Sequence, residues 1–346
     1  MGTSPPSQDA AAPDPEDTPV ALLVTGSIAT DHLMTYGGRF AESLVVDQLD
    51  KLSVSFLVDD LEVRRGGVAA NIAFGLGVLG LEPVLLGSVG EDFAEYRSWL
   101  RRHGVDCESV HYSQTKHTAR FVCTTDTTMA QFASFYPGAM AEARDIELEP
   151  AAERRGGADY VLIGANDPEA MRRHTDECRQ RGYLFLADPS QQLAFSDGEL
   201  IRELVDGAHI LFSNEYEAHL TEQKTGWDDA ELLSRVGTVV TTLGKDGVRI
   251  SRKDAEPILV GAVPDATPVE PTGVGDAFRA GFMAALTWEL PLERAAQFGC
   301  LIAAYALEQV GTQEYELHRQ PLLARMTAAY GAEAADEIAP HLTTLS

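Results

Sequence analysis

The chain has 346 residues, of which 45% are hydrophobic, and a formal net charge of −26 at pH 7. This length fits one large α/β domain or two smaller ones, and the composition allows a sizeable core. So acidic a protein is not expected to bind nucleic acid or an anionic membrane, although local amides and a metal ion would still accommodate ATP. The four cysteines are scattered and form no CxxC pair, which indicates a reduced, cytoplasmic protein without structural zinc.

The first 19 residues are rich in Pro, Asp, Ala and Ser, and they contain neither a basic nor an apolar signal-peptide region. They are predicted to be a disordered tail. No apolar run reaches membrane-spanning length. We therefore expect one folded domain over residues 20–340.

Short apolar strands alternate with helical segments through most of the chain. The predicted elements are strand Ala21–Thr25, a helix from Arg64 to about Gly80, strand Pro83–Gly87, helix Asp92–His103, strand Tyr160–Ile163, helix Pro168–Arg181, strand Tyr183–Ala187, helix Gly198–Val205, strand His209–Phe212, helix Glu215–Thr221, strands Val236–Thr242, Val248–Ser251 and Ile258–Val260, a helix from Gly273, and helices Pro291–Gln309 and Pro321–Ile338. Such an order predicts an α/β fold with a mainly parallel central sheet. Extended segments 36–63 and 105–135 interrupt it and are predicted to form a small β-sheet lid.

The most informative stretch begins the helix at Gly273. Pro271 ends the preceding segment, and Thr272 is a candidate N-cap. Gly273 and Gly275 have no side chains, so a ligand can approach the unpaired N–H groups of the first turn, which form an anion site. Asp276 lies in the same turn, where a carboxylate suits removal of a proton from a hydroxyl that attacks a phosphoryl group. The alternative is an ordinary helix start with a dipole-favoured acid.

Three further motifs suit contacts with a ligand, and the second and third also have a structural interpretation. A glycine-rich helix start at Gly66-Gly67, followed by Asn71, suits the hydroxyls of a neutral ligand. Asn214 and Glu217 share one helix face and suit a magnesium and phosphate site, or else an N-cap with a solvated acid. The two glycines in 242–247 suit a nucleotide lying along the backbone, or else a hairpin turn.

A GxGxxG pattern is present at Gly75-Leu76-Gly77-Val78-Leu79-Gly80. It lies late in a predicted helix and does not follow a strand, so its context does not fit dinucleotide binding. We predict instead that these glycines allow close helix packing. The P-loop pattern GxxxxGK[ST] is absent from the sequence.

Together these motifs resemble the PfkB family of carbohydrate and purine kinases, which have a ribokinase-like fold. The resemblance covers about residues 20–315, and its separated motifs follow the family order. It implies a three-layer α/β/α fold with a small β-sheet lid, and transfer of the γ-phosphoryl group of ATP with the help of Mg²⁺. Several segments, among them 26–32, 53–60, 121–126 and 134–140, are similar to the bacterial adenosine kinases of this family.

The resemblance also implies residue roles. The expected base is Asp276, and Gly273, Val274 and Gly275 are expected to form the anion hole. The expected substrate-binding residues are Ser27, Asp31, Gly67, Asn71, Phe121, Phe135, Gln191 and Gln192. The expected ATP-binding residues are Asn214, Thr242, Gly244 and Gly247. The expected metal contacts are Glu217, which would hold Mg²⁺ through water, and Glu270, at a position that belongs to a monovalent-cation (K⁺) site in related kinases.

Two departures from the family pattern affect these expectations. Glu270-Pro271 replaces the common Asp-Thr, which leaves activation by K⁺ open. Gln191 and Gln192 follow Asp188-Pro189 where many sugar kinases carry an arginine, and glutamines suit an uncharged substrate better than a sugar phosphate.

The expected reaction is phosphorylation of a nucleoside on its 5′-hydroxyl, with adenosine preferred. A ribokinase or another sugar kinase is the first alternative. A non-catalytic sugar- or nucleoside-binding protein is the second, although such a protein would not need Asp276 and Glu217. We also expect a homodimer that forms through the lid, with Phe121 and Phe135 either stacking on the base or only packing the lid.

Overall fold

The computed structural model describes residues 20–43 and 55–346, so the predicted tail 1–19 and part of lid segment 36–63 lie outside the described residues. The strands are β1 Leu22–Thr25, β2 Ala29–Tyr36, β3 Asp60–Gly66, β4 Val84–Leu86, β5 Ser88–Val89, β6 His111–Tyr112, β7 Ala119–Asp126, β8 Gln131–Tyr136, β9 Tyr160–Gly164, β10 Leu184–Asp188, β11 Ile210–Asn214, β12 Thr238–Thr242, β13 Val248–Ser251 and β14 Ile258–Val260. The helices are α1 Phe40–Ser43, α2 Val68–Val78, α3 Ala94–Arg102, α4 Glu149–Arg155, α5 Pro168–Arg181, α6 Gln192–Phe195, α7 Gly198–Val205, α8 Glu215–Thr225, α9 Asp229–Arg235, α10 Val274–Thr287, α11 Leu292–Leu307, α12 Arg319–Tyr330 and α13 Ala332–Ile338.

The main sheet has eight strands in the order β14-β13-β12-β11-β10-β9-β1-β4. The strands from β12 to β4 pair in parallel, and β13 and β14 add an antiparallel edge. Successive side chains of a strand point to opposite faces, so Leu22 and Val24 join one hydrophobic core and Leu23 joins the other. Helices cover both cores, which confirms the predicted three-layer α/β/α fold.

A second sheet, here called the lid sheet, has the order β3-β2-β7-β8. It begins at Ala29, before the predicted position 36, because the chain runs from β1 into β2 with only a short turn. The first part of predicted segment 105–135 belongs to the body of the protein instead, since β6 pairs with β5 and Asp106 bridges to Val84. Strands β2 and β7 pair in parallel, and the two outer pairings are antiparallel.

Two predicted helix boundaries were wrong. The helix expected from Arg64 begins at Val68, because Arg64 and Arg65 extend β3 and pair with β2. The helix expected over Pro321–Ile338 is two helices, α12 and α13, because Gly331 takes a φ of 94° that an α-helix cannot contain.

Gly75 and Gly77 of the GxGxxG pattern allow close packing, as predicted. A Cβ on Gly75 would lie 2.6 Å from the Cβ of Ala280 on α10, and a Cβ on Gly77 would collide with the carbonyl oxygen of His103 at the end of α3. Over residues 20–43 and 55–346, none of the helices is long and apolar enough to cross a membrane.

Candidate active site

A cavity of about 650 Å³ lies where the parallel strands end and the lid sheet begins. In a parallel sheet, ligands bind beyond the carboxyl ends of the strands, because helix N-termini and loops converge there. The predicted site residues that line this cavity are Ser27, Asp31, Gly67, Asn71, Phe121, Phe135, Gln191, Gln192, Asn214, Glu217, Thr242, Gly273, Gly275 and Asp276. The structure thus brings together residues from distant parts of the chain, including the lid strands β2, β7 and β8.

The start of α10, where the anion site is predicted, lies at the cavity, but its N-cap differs from the expectation. Gly273 is the N-cap, with a left-handed φ of 76°, and Thr272 lies outside the helix. A Cβ at position 273 would lie 2.8 Å from the Cβ of Thr312, so only glycine fits. Val274 is the first helical residue and is not among the cavity-lining residues. Because the first N–H groups of a helix have no intrahelical acceptor, this end of α10 suits an anion.

Asp276 is half-buried in the first turn of α10 and faces the cavity. Its Oδ2 accepts a hydrogen bond of 2.8 Å from Nδ2 of Asn71. Burial raises the pKa of the Asp276 carboxyl to about 7, although the Asn71 hydrogen bond and the charge of Arg279 oppose that shift. A carboxyl group with this pKa exchanges protons readily near neutral pH.

Arg279 is a cavity residue that the sequence analysis missed. Its side chain is buried, and its Nη2 donates a 2.6 Å hydrogen bond to Oδ1 of Asp188, at the end of β10. Nη1 donates to the carbonyl oxygen of Gly275 at 3.0 Å. The available signal was an arginine on an otherwise apolar helix, three residues after Asp276. Its charge adds to the positive field at the start of α10.

Asp31 lies on β2, where the lid sheet meets the body. Burial raises the pKa of its carboxyl to about 6, while Arg64 on the adjacent strand lowers it. The backbone of Gly67 lies close to that of Ser27. Gly67 has a φ of 98°, and a Cβ at this position would lie 2.6 Å from the carbonyl oxygen of Ser27. The hydroxyl of Ser27 accepts from the Val68 N–H at 3.0 Å and so caps α2.

Asn214 and Glu217 form a capping box at the start of α8. The Asn214 side chain accepts from the Glu217 N–H at 2.8 Å, and the Glu217 carboxylate accepts from the Asn214 N–H at 2.9 Å. Among the residues that the structure describes, only Ser190 donates to the second carboxylate oxygen of Glu217, over a long 3.4 Å, and Glu217 lines the cavity. This arrangement fits contact with hydrated Mg²⁺. Within the described residues, no group of three or more acidic, His or Cys side chains could ligate a metal directly.

Glu270 does not fit the expected K⁺ site. Nη1 of Arg64 donates to both of its carboxylate oxygens, at 3.1 and 2.9 Å, and the Gly311 N–H donates to one of them at 3.0 Å. A guanidinium charge therefore already lies beside this carboxylate, which is not among the cavity-lining groups.

Gly244 and Gly247 also lie outside the cavity lining. They belong to the tight turn between β12 and β13, where Gly247 has a φ of 96°. Only Thr242 from this segment lines the cavity, so the hairpin interpretation describes the two glycines better than direct contact with a ligand does.

Aromatic side chains form part of the cavity wall. Phe121 on β7 and Phe135 on β8 are cross-strand partners, and the Phe135 side chain is 51% exposed. Phe195, which the sequence analysis missed, is 83% exposed at the end of α6 and also lines the cavity. Lys224 fixes this short helix by donating to its terminal carbonyl groups.

Several known proteins share this architecture. The Burkholderia thailandensis nucleoside kinase in complex with inosine superposes with a TM-score of 0.78, at 31% identity over 90% of this chain and 99% of that one. The same enzyme in complex with ADP-inosine gives a TM-score of 0.76 at 33% identity, over 90% of this chain and 96% of that one. The Methanothermobacter thermautotrophicus nucleoside kinase is 30% identical over 315 residues, which cover 90% of this chain and 97% of the relative. The model of the pfkB family carbohydrate kinases matches residues 28–319, and the chain belongs to this family.

Proposed function

We propose that the chain is an ATP-dependent nucleoside kinase that phosphorylates the 5′-hydroxyl group of its substrate, with adenosine as the preferred acceptor and AMP as the product. The observation that carries this proposal is the position of Asp276. Its carboxyl group has a raised pKa and lies in the first turn of α10, at a cavity that Asp31, Phe121 and Phe135 also line. The relatives that are named nucleoside kinases support the proposal.

In the proposed reaction, Asp276 accepts the proton of the 5′-hydroxyl as that oxygen attacks the γ-phosphorus atom of ATP, while the bond from this phosphorus to the β,γ-bridging oxygen breaks and ADP leaves. The N–H groups at Gly273 and Gly275 and the charge of Arg279 stabilise negative charge on the transferred group. Phosphoryl transfer has a loose transition state with little early proton removal, so positioning and electrostatics contribute most of the rate.

The acceptor side of the cavity suits a nucleoside better than a free sugar. Asp31 offers two acceptor oxygens for the ribose hydroxyls. Phe121 and Phe135 provide apolar surface on which a purine can stack, and a free sugar has no ring for such stacking. Gln191 and Gln192 supply neutral amides, which suit an uncharged ligand. The family also contains ribokinases, so a sugar acceptor is the alternative that the experiment must distinguish.

Mg²⁺ is the proposed metal cofactor, held by the nucleotide phosphates and contacted through water by Glu217. When bound, it neutralises charge on the phosphates. Within the described part of the chain, one carboxylate oxygen of Glu217 accepts no hydrogen bond besides the 3.4 Å bond from Ser190, so it is available for this role. We do not propose K⁺ at Glu270, because Nη1 of Arg64 already donates to both oxygens of that carboxylate.

We also propose a homodimer formed through the lid sheet. Its outer strands β3 and β8 each leave one edge unpaired in the described chain, and strand edges attract further strands. Apolar side chains on these strands are exposed: Leu61, Val63, Phe132 and Tyr136.

A cytoplasmic location agrees with four free cysteines, all of them buried.

The test is a phosphate-transfer assay with ATP and adenosine, guanosine, inosine, ribose or fructose 6-phosphate, with the products identified by mass. We expect the highest kcat/KM with adenosine. The matched control is 5′-deoxyadenosine, which lacks the acceptor hydroxyl and should inhibit competitively without being phosphorylated. Higher kcat/KM with ribose or fructose 6-phosphate would indicate a sugar kinase, and nucleoside binding without any transfer would indicate a non-catalytic protein.

A further inference from the structure

A buried chain of hydrogen bonds leads from Asp276 to the lid sheet. Nδ2 of Asn71 donates to Asp276, and Oδ1 of Asn71 accepts from Oγ1 of Thr312 and Nε2 of Gln313, both at 2.9 Å. Nε2 of Gln313 also donates to the hydroxyl of Tyr96 at 2.6 Å. That hydroxyl donates to the carbonyl oxygen of Gly66 at 2.9 Å, at the end of β3.

The end of this chain at Gly66 determines the direction of the hydrogen bonds. A backbone carbonyl only accepts, so Tyr96 donates to Gly66 and its oxygen is left to accept from Gln313. The amide group of Gln313 therefore presents N–H groups to both Tyr96 and Asn71. Since Oδ1 of Asn71 accepts from Gln313, the Asn71 amide presents its N–H group to Asp276. If the amide group of Asn71 were rotated by 180°, its oxygen would lie beside the Asp276 carboxylate.

Thr312 alone cannot fix the orientation of the Asn71 amide. Its hydroxyl has one proton, and it lies 2.9 Å from two acceptors, Oδ1 of Asn71 and the carbonyl oxygen of Arg65. Gln313, whose amide has two protons, serves both Asn71 and Tyr96. Asn71, Tyr96, Thr312 and Gln313 are 5%, 4%, 6% and 1% exposed, so water competes little for these bonds.

We propose that Gln313 and Tyr96 are positioning residues, which act through Asn71 to hold Oδ2 of Asp276 and leave its other oxygen for the substrate hydroxyl. This inference rests on the proposed function of Asp276 as the base. It extends that function, because it makes the orientation of the base depend on the end of lid strand β3. Displacement of Gly66 would remove the acceptor that determines the direction of the hydrogen bonds between Tyr96 and Asp276.

The test compares Gln313→Leu and Tyr96→Phe with Tyr315→Phe. Tyr315 is a suitable control, because its buried hydroxyl has no hydrogen-bond partner among the described residues and packs close to Gly75. Gln313→Leu removes the donor that orients the Asn71 amide, so the hydrogen bond from Asn71 to Asp276 is no longer fixed and kcat should fall about tenfold. It should also move the acidic limb of the pH–rate profile upward, because the Asp276 carboxylate loses an oriented donor. Tyr96→Phe leaves Gln313 in place and should give a smaller change, about two- to tenfold, in the same direction.

Tyr315→Phe should keep the wild-type kcat and pH profile. If Gln313→Leu and Tyr96→Phe lowered only the melting temperature and kept the wild-type profile, these residues would be packing elements and the proposal would be overturned. Should Gln313→Leu fail to fold, Tyr96→Phe alone decides between these outcomes. If Asp276→Asn turned over at the wild-type rate, Asp276 would not be the base, and both the proposed mechanism and this inference would be wrong.

Discussion

Two carboxyl groups in the cavity have pKa values that suit proton exchange. Burial raises the pKa of Asp31 to about 6 and that of Asp276 to about 7. The start of a helix by itself favours an ionised carboxylate, which would be a weak base. At Asp276 burial outweighs this effect, and the resulting pKa lies near neutral pH, so a general base with this pKa is most efficient there.

We predict that kcat/KM for adenosine rises with pH to a plateau, with a midpoint near pH 7. The base must be ionised to accept a proton, so lowering the pH through a pKa of about 7 removes activity. Initial rates from pH 5 to 9 at constant ionic strength measure this limb. A profile that stays flat between pH 6 and 8 would show that no group of this pKa is needed.

At the scale of residues, the local motifs predicted much of the site. Asp276, Gly273 and Asn71 belong to short patterns whose chemistry is legible in the sequence. The contacts between these residues were not predictable from the sequence, because the hydrogen bond from Asn71 to Asp276 joins positions 205 apart in the chain. Such pairs depend on the order of strands in the sheet, which no local pattern specifies.

Among the elements, the start of α8 combines a structural and a proposed catalytic role. Its capping box satisfies backbone N–H groups, and one carboxylate oxygen of Glu217 remains directed to the cavity. The two interpretations of this motif in the sequence, an N-cap and a magnesium contact, therefore do not exclude each other.

We predict that Glu217→Gln raises the Mg²⁺ concentration needed for half-maximal rate. Glutamine keeps the capping box, because its side-chain oxygen can accept from the Asn214 N–H, but it loses the charge that attracts hydrated Mg²⁺. Glu215→Gln is the matched control, since Glu215 is an exposed acid in the same helical turn and does not line the cavity. Superimposable Mg²⁺ titrations for all three proteins would leave Glu217 with a capping role only.

The accuracy of the predicted elements followed the clarity of their boundary signals. Helix α5 begins after an N-cap aspartate with Pro168 and ends before Gly182, and both boundaries were predicted. The boundary between β3 and α2 was not, because Arg64 and Arg65 have no strong local preference and are extended only through pairing with β2. The short helices α1, α6 and α9 were not predicted either, since segments this short are only marginally helical by themselves.

For the molecule as a whole, the lid sheet connects substrate binding with the proposed assembly. Phe135 lines the cavity, whereas its neighbour Phe132 is outside the cavity lining and packs in an aromatic cluster with Phe40 and Phe56. Two phenylalanines of one strand therefore have different surroundings, and this difference allows a controlled test.

We predict that Phe121→Ala or Phe135→Ala raises KM for adenosine about tenfold or more, because stacking on a base contributes about 1–3 kcal/mol. Any activity on free ribose should change little, since ribose has no base to stack. Phe132→Leu is the matched control and should keep the wild-type KM, because leucine retains an apolar side chain at this lid position outside the cavity. Equal losses on both substrates would point to a damaged lid or dimer and would contradict stacking.

The central claim is that Asp276 is the base of a phosphoryl transfer, and the kcat of Asp276→Asn tests it most directly. Asparagine keeps the shape of the side chain but cannot accept the proton. We expect kcat with adenosine and ATP to fall about 10²- to 10⁴-fold, the usual loss for a general base, while calorimetry shows little change in nucleoside affinity. A kcat within a few fold of the wild type, measured on folded protein, would contradict this role for Asp276.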